Sequence, residues 1–430
     1  MTQIPVKSGM PLLGNVIPFV RDLLHYPIQL YHELGPVYRM AIPTYNPVFV
    51  FDCDALRDIF EKQHRWFKKS PDYTTLKITL GNGLLTNDGP TWKPMRQLIQ
   101  PVVFDLGIQT FIRITTDHIT RWTDSMPLEG TIDLHPSIKR LTLSIATEAF
   151  FGSSVDQMGI NTPQLVDSLN QLGAAKMRFP RHLIPYWVPT PLHIKLQSII
   201  RKMDGEIDRH LANPAPEPGS LLDVFLNHPG LSNREKRDEL ITFLIAGYET
   251  TANAIMCVLA LLANHPTIQA QLRDEINAHG LDPATFKSWR HQLPLLFAVI
   301  QEALRLYPPA WMMGRQATAD LGIGRYDIPK GSNVIVDVYA LHRIPDYWSD
   351  PNDFKPERFM TPLGDKMMYL PFGGGPRVCI GQQMALIELA TIIHAVVRQF
   401  DIFPAQSTIR PAPMVTLTPG RPLSITLVRR

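Results

Sequence analysis

From Ser232 to Asn264 the chain carries one unbroken helical pattern. Ser232-Asn233, followed by acidic and basic side chains, has the character of a helix N-terminus, and the apolar periodicity continues to Asn264. A helix of about 30 residues far exceeds the usual 10–14. An element that long crosses an entire core and demands a large helical body around it. Further helical patterns run through Pro266–Ala278, Leu293–Leu306 and Gly381–Phe400, with strand-like runs at Val48–Phe51, Asn333–Val338 and Val415–Val428. The expected fold is mainly α, a single large helical domain with small β-sheets. The Pro-rich stretch Asn213–Gly219 reads as an exposed connection, because helical patterns of similar character flank it. The chain contains no internal repeat.

Composition sets limits around that picture. The 430 residues are 45% apolar and 19% charged, which excludes a disordered or collagen-like chain. Length alone suggests two or three domains at about 150 residues each, or one large α-rich or barrel domain. A net charge of +3 gives no argument for nucleic acid. Met-Thr-Gln-Ile-Pro lacks the charged and apolar regions of a signal peptide. The longest uninterrupted apolar run, Ala254 to Ala263, falls short of the about 20 residues a membrane span needs. The expectation is a cytoplasmic protein with no membrane span. Cys53, Cys257 and Cys379 cannot all pair, which points to a reducing compartment or to a thiol reserved for chemistry.

Cys379 is that thiol. In Phe372-Gly-Gly-Gly375-Pro-Arg377-Val-Cys379-Ile-Gly381 a glycine-rich loop feeds a cysteine into a helix start. Free amides and the helix dipole there favour the thiolate. Loop glycines let backbone N–H groups approach sulfur and let a flat ligand lie close, and Gly381 keeps the first helical turn clear. Arg377 is placed to pair with an anionic group at the ligand's edge. Cys53 and Cys257 lie in apolar surroundings and read as packing residues.

With these residues the sequence resembles the cytochrome P450 superfamily of haem-thiolate monooxygenases, in its soluble form. Phe372, Gly375, Arg377, Cys379 and Gly381 satisfy the signature Phe-x-x-Gly-x-Arg/His-x-Cys-x-Gly. The resemblance implies haem b (heme, iron protoporphyrin IX) with Cys379 as the axial iron ligand, a thiolate that favours O–O cleavage.

Other segments agree with it. Glu302 and Arg305 share a helix face, as do Glu206 and Arg209, which read only as a solvated pair. The first pair is followed by Pro308-Pro309 and then by Pro356-Glu-Arg358-Phe359. That order resembles the family's structural charge network, which braces the haem-binding core. Trp92 and Arg96, four apart, resemble its propionate-binding pair, provided that Pro94 lies in the first helical turn. Arg315 is a further propionate candidate. Ala246-Gly-Tyr-Glu249-Thr250-Thr251 puts poor helix formers in the middle of the long helix, a violation that marks function or a kink. A plain threonine back-bond to the preceding turn would account for it too. The run resembles the family's Ala/Gly-Gly-x-Asp/Glu-Thr motif. The resemblance implies that Ala246 packs beside the open iron position, Thr250 hydrogen-bonds dioxygen and Glu249 helps carry protons inward.

The motifs spread from Trp92 to Gly381 around one cofactor, so residues 1–430 are expected to form one haem-thiolate monooxygenase domain. Gly81-Asn-Gly83 and Gly322-Ile-Gly324 both lack the third glycine of a dinucleotide fingerprint. Electrons are therefore expected from a separate ferredoxin or flavodoxin, delivered to a monomer. Leu84, Leu85, Ala246, Ala310, Trp311, Met312 and Met313 form a candidate apolar pocket for a terpenoid, fatty acid or similar hydrophobic substrate. Phe179–Pro189 is either an access lid or a rigid packed loop. Two alternatives share Cys379: a haem-thiolate peroxygenase or isomerase needing no electron partner, and a non-enzymatic haem sensor or carrier. Glu249-Thr250 argues against both.

Overall fold

A computed structural model describes residues 3–152, 154, 162–177, 184–212, 216 and 218–430. The chain divides into two compact units, one formed by Met1–Tyr73 with Glu302–Cys379 and the other by Thr74–Gln301 with Ile380–Arg430.

The strand-like runs supply the sheet of the first unit. Its strands are β1 (Val6–Lys7), β2 (Val37–Met40), β3 (Val48–Val50), β4 (Phe67–Lys69), β5 (Met312–Ala317) and β6 (Asn333–Asp337), in spatial order β1-β2-β3-β6-β5-β4. β3 and β6 pair in parallel, and β6 with β5 and β5 with β4 antiparallel. Both central strands are fully buried, which fits their continuous apolar runs. Tyr38 on β2 stacks on Phe49 of β3, with centroids 5.3 Å apart. Each central strand ends slightly before its sequence pattern does, and an aspartate is the reason. Asp52 accepts a hydrogen bond from Ala55 N and opens the helix Cys53–Arg57, while Asp337 accepts from Ala340 N and opens Val338–Leu341.

The long helix dominates the second unit. It runs Asn233–Asn264, with a capping box in which Ser232 and Glu235 exchange side-chain and backbone hydrogen bonds. His265 and Pro266 follow, and Pro266–Ala278 forms the next helix. Around the long helix pack Leu134–Phe151, Pro191–Ala212 and Gln382–Gln399. By length and apolar character the long helix would suffice to cross a bilayer, yet 78% of its most apolar window is already buried in protein contacts. The expected strand Val415–Val428 is broken. Leu417–Thr418 and Ser424–Arg429 are separate strands, because Pro419 and Pro422 lack N–H donors and Gly420 turns at φ +78°. Ser424–Arg429 joins Phe400–Gln406 and Glu129–Asp133 in a three-stranded sheet. Of the Pro-rich connection Asn213–Gly219, only 216, 218 and 219 lie within the described residues.

Asp337 gives this architecture a pH signature. Its side chain is wholly buried, Oδ2 makes no hydrogen bond, and burial pushes its carboxyl up from 3.8 to about 7. The folded state holds this proton more tightly than the unfolded chain does. The stability it brings is fully present below pH 4 and is lost as pH rises through about 7. Denaturant unfolding between pH 5 and 8 should show a loss on the order of 2–4 kcal/mol from this group. Asp337→Asn should flatten that slope; an unchanged slope would remove Asp337 as its source.

Candidate functional site

The cysteine loop is built by backbone hydrogen bonds and held from below by buried charge. Gly373 N donates to Leu370 O at 3.0 Å, Val378 N to Gly375 O at 3.0 Å, and Cys379 N to Phe372 O at 2.9 Å. Gly375 turns at φ +64°, and a Cβ there would lie 1.7 Å from Phe60 O. Gly375 is thus required by the backbone of Phe60, not only by a ligand. Gly381 differs, since an added Cβ would meet no protein atom within 4 Å. Phe372, Arg377 and the glycines are half-buried, whereas Cys379 is exposed. The other two thiols have the opposite character. Cys257 is buried and Cys53 half-buried, and burial pushes both away from the thiolate.

Beneath the loop lies the charge network. Arg305 grips Glu302 with two hydrogen bonds, Nε to Oε2 at 2.7 Å and Nη2 to Oε1 at 2.8 Å. Arg358 Nε reaches Glu302 Oε1 at 3.3 Å. Both Glu302 and Arg305 are 0% exposed. The remaining N–H groups of Arg305 donate to the carbonyls of His342, Pro351 and Asp353. His342 passes this order on to the loop. Its Nε2 accepts from Leu370 N at 2.9 Å, which leaves Nδ1–H to donate to Arg305 O at 3.1 Å. Burial and the neighbouring Arg305 keep the ring well below its ordinary pKa, hence neutral and able to accept. Leu370 O in turn holds Gly373 N. His342 and Phe60 carry no motif and escape a reading of sequence alone.

Further along the first unit, Arg315 on β5 stands directly opposite Lys69 on β4. The Lys69 ammonium lies 4.5 Å from the Tyr73 ring centre, and the Arg315 guanidinium lies 5.7 Å from that of Phe60 and donates to Gly314 O. Lys69 is another residue that only the strand register reveals. Among the pocket candidates, Ala310 is exposed, Trp311 is buried, and Met312 and Met313 are half-buried against the sheet core. The last two serve packing at least in part.

In the second unit Trp92 opens the helix Trp92–Pro101, with Pro94 in its first turn, and the Arg96 guanidinium lies 5.7 Å from the Trp92 ring centre. Leu84 is buried and Leu85 is 39% exposed. Ala246 is exposed in the middle of a helix whose residues are otherwise mostly buried. Thr250 Oγ1 donates to Ala246 O at 2.6 Å, the back-bond to the preceding turn. Glu249 is buried, and Tyr248 donates to Asp167 at 2.8 Å. Of the loop Phe179–Pro189, residues 179–183 lie outside the described residues. Ile184–Pro189 precede the helix Pro191–Ala212, and Trp187 is 82% exposed.

These residues fit haem b. Cys379 offers a single exposed sulfur, and no cluster of three metal-ligating side chains occurs among the described residues. One protein ligand suits an iron already held in a macrocycle. Arg315 with Lys69 and Arg96 beside Trp92 offer cations to carboxylates, and Ala246 presents only a methyl group.

The pair Glu302–Arg305 and the pair Glu206–Arg209 have the same spacing, but both side chains of the first are 0% exposed, whereas in the second Arg209 is 59% and Glu206 14% exposed. Arg305→Ala should therefore cost about 3–5 kcal/mol, by leaving Glu302 buried and unpaired. His342→Leu should cost about 1–3 kcal/mol through Leu370 N–H, and Arg209→Ala about 1 kcal/mol or less, since that arginine stays in solvent. Urea unfolding of the three variants checks the ranking, and similar costs at Arg305 and Arg209 would contradict it.

Comparison with known proteins points the same way. Residues 4–426 match the family model described as Cytochrome P450. The chain is 29% identical to cytochrome P450 4ae1 of Drosophila melanogaster, over 96% of this chain and 90% of the relative. It is 28% identical to cytochrome P450 3A13 of Mus musculus, over 99% and 91%. It is 30% identical to cyclooctat-9-en-7-ol 5-monooxygenase of Streptomyces melanosporofaciens, over 93% and 90%.

Proposed function

The chain belongs to the cytochrome P450 family of haem b oxidoreductases, and we propose that it inserts one oxygen atom of O2 into a hydrophobic organic substrate. Terpenoids and fatty acids suit the apolar candidates Leu84, Leu85, Ala246, Ala310, Trp311, Met312 and Met313. One relative is named for oxidising a cyclic alcohol, cyclooctat-9-en-7-ol, which favours a hydroxyl-bearing ring system. The observation that carries the proposal is Cys379, an exposed thiol at the end of a glycine loop that a buried ion pair holds in place. The proposal includes one haem-thiolate monooxygenase domain over residues 1–430.

When bound, haem b supplies the oxygen-activating redox chemistry, and the protein supplies ligation, proton control and substrate orientation. Cys379 provides the thiolate. Arg96, Arg315 and Arg377, with Trp92, neutralise and orient the anionic edge, and Phe372 packs beside the thiolate loop. Gly381 leaves space at the helix start. Ala246 admits substrate close to the reacting position. Thr250 donates its proton to Ala246 O, which leaves its oxygen as an acceptor. Donation from Thr250 requires rotation away from that carbonyl. Glu249, buried beside it, passes protons inward. A separate ferredoxin or flavodoxin supplies electrons, in the cytoplasm and to a monomer, with no nucleic acid or membrane span involved.

Turnover with a ferredoxin system, with hydrogen peroxide and with no oxidant separates this reading from a peroxygenase, isomerase or carrier. Product formed only with the ferredoxin system and O2 supports it, and product from peroxide alone overturns the need for an electron partner. Cys379→Ala should lose the thiolate signature of the reduced carbon monoxide spectrum; an unchanged spectrum would reject this ligand. Thr250→Ala should bind haem and substrate within about threefold of the native protein, about 0.7 kcal/mol. Most of its reducing equivalents should then emerge as peroxide. Fully coupled product formation would contradict the proton role.

A further inference from the structure

Two adjacent carboxyl groups near the start of the long helix meet very different surroundings. Asp238 accepts from Arg237 Nη1 at 2.8 Å, faces Arg234 Nε at 3.2 Å and accepts from Asn82 N at 2.7 Å. Glu239, 2% exposed, accepts one hydrogen bond, from Leu84 N at 3.0 Å, and meets no cation among the described residues. Burial, with Asp238 and Glu235 nearby, pushes its carboxyl up to about 7. A carboxyl group has hydrogen-bonding capacity well beyond one accepted bond.

The position of Glu239 relative to Ala246 and Thr250 follows from helix geometry. Residues seven and eleven apart return to nearly the same face, and seven residues span about 10 Å. Glu239, Ala246 and Thr250 therefore lie along one stripe, with Phe243 between the first two. Phe243 is buried, its ring edge-on to Phe150. The loop beside the stripe is pressed onto the helix. A Cβ at Gly81 would strike the Asp238 carboxylate at 2.1 Å, and one at Gly83 would strike Thr242 Oγ1 at 2.3 Å. This packing brings Leu84 to Glu239. The stripe thus has a polar group at one end, an apolar middle and the reacting position at the other.

We propose that Glu239 is the polar anchor of the substrate site, its carboxyl hydrogen-bonding a hydroxyl on an otherwise hydrocarbon substrate. The anchor selects which carbon lies by Ala246, about 10 Å along the helix, and by Thr250, about 16 Å along it. It rests on the reading of that stripe as the substrate side of the haem site. A site that hydrogen-bonds a substrate hydroxyl discriminates strongly against the analogue lacking it. Glu239 has a positioning role here, and its bond to Leu84 N aims it.

The test uses haem-loaded protein and the haem absorbance shift on titration with two matched pairs: cedrol with cedrane, and 1-dodecanol with dodecane. In the native protein at least one alcohol should bind ten times more tightly than its hydrocarbon or better. Glu239→Leu and the nearly isosteric Glu239→Met should erase that preference while hydrocarbon affinity stays within threefold. Glu239→Gln, which can accept from Leu84 N and still hydrogen-bond a hydroxyl, should retain it. Absence of any alcohol preference in the native protein overturns the proposal. So does a preference that survives in the Leu and Met variants, or an equal loss for alcohol and hydrocarbon, which marks a mere loop anchor. The thiolate–carbon monoxide signature is read first in every sample, so failure of the haem site is distinguished from failure of the anchor. Should both variants lose that signature, the native comparison alone decides.

Discussion

Arg305 directs its guanidinium wholly into the protein, two donors to Glu302 and the others to the carbonyls of His342, Pro351 and Asp353. Removing two such charges from water is expensive, and only dense hydrogen bonding compensates. The pair is therefore better understood as a device for geometry than as a source of stability. It fixes the backbone at His342, the neutral ring of His342 fixes Leu370, and Leu370 fixes Gly373. The bond from Cys379 N to Phe372 O closes the loop just beyond that point. A thiol that must present its sulfur in one direction needs such a rigid support.

The long helix solves a different problem. It stays continuous from Asn233 to Asn264 although Gly247, Thr250 and Thr251 are poor helix formers in its middle. Strong anchoring at both ends permits this, through the capping box of Ser232 with Glu235 and through Asn264 bound to Ser407. Between them Ala246 and Gly247 reduce the side-chain volume, and Thr250 bonds back to Ala246 O. The bland reading of that threonine and its functional reading are compatible. The back-bond uses the hydroxyl's proton and leaves its oxygen able to accept a hydrogen bond.

Local signals are legible in the sequence where the cause itself is local. Ser232 and Glu235 mark one end of the long helix and Pro266 lies just past the other, and the observed helix runs between them. The glycines and Cys379 stand close together, so their pattern is visible directly. Glu302–Arg305 is separable from Glu206–Arg209 only through the segments Pro308-Pro309 and Pro356–Phe359 downstream of it, and burial accounts for the difference. The strand readings fail where a single residue stops the chain. Asp52 and Asp337 divert it into helices, and Pro419 and Pro422 split the last run. His342, Phe60, Lys69 and Glu239 are not legible. Each acts on a partner far away in sequence, through register or tertiary packing that no window of residues contains.

The central claim is that buried charge, transmitted through His342, holds the cysteine loop. Amide hydrogen exchange at Gly373 and Cys379 tests it most directly, because both N–H groups sit at the far end of that relay. In Glu302→Gln, studied under conditions where the protein remains folded, these two amides should exchange at least tenfold faster, about 1.4 kcal/mol. Those of the long helix near Leu259 should be unchanged. Equal protection of Gly373 and Cys379 in the native and variant proteins would contradict the account.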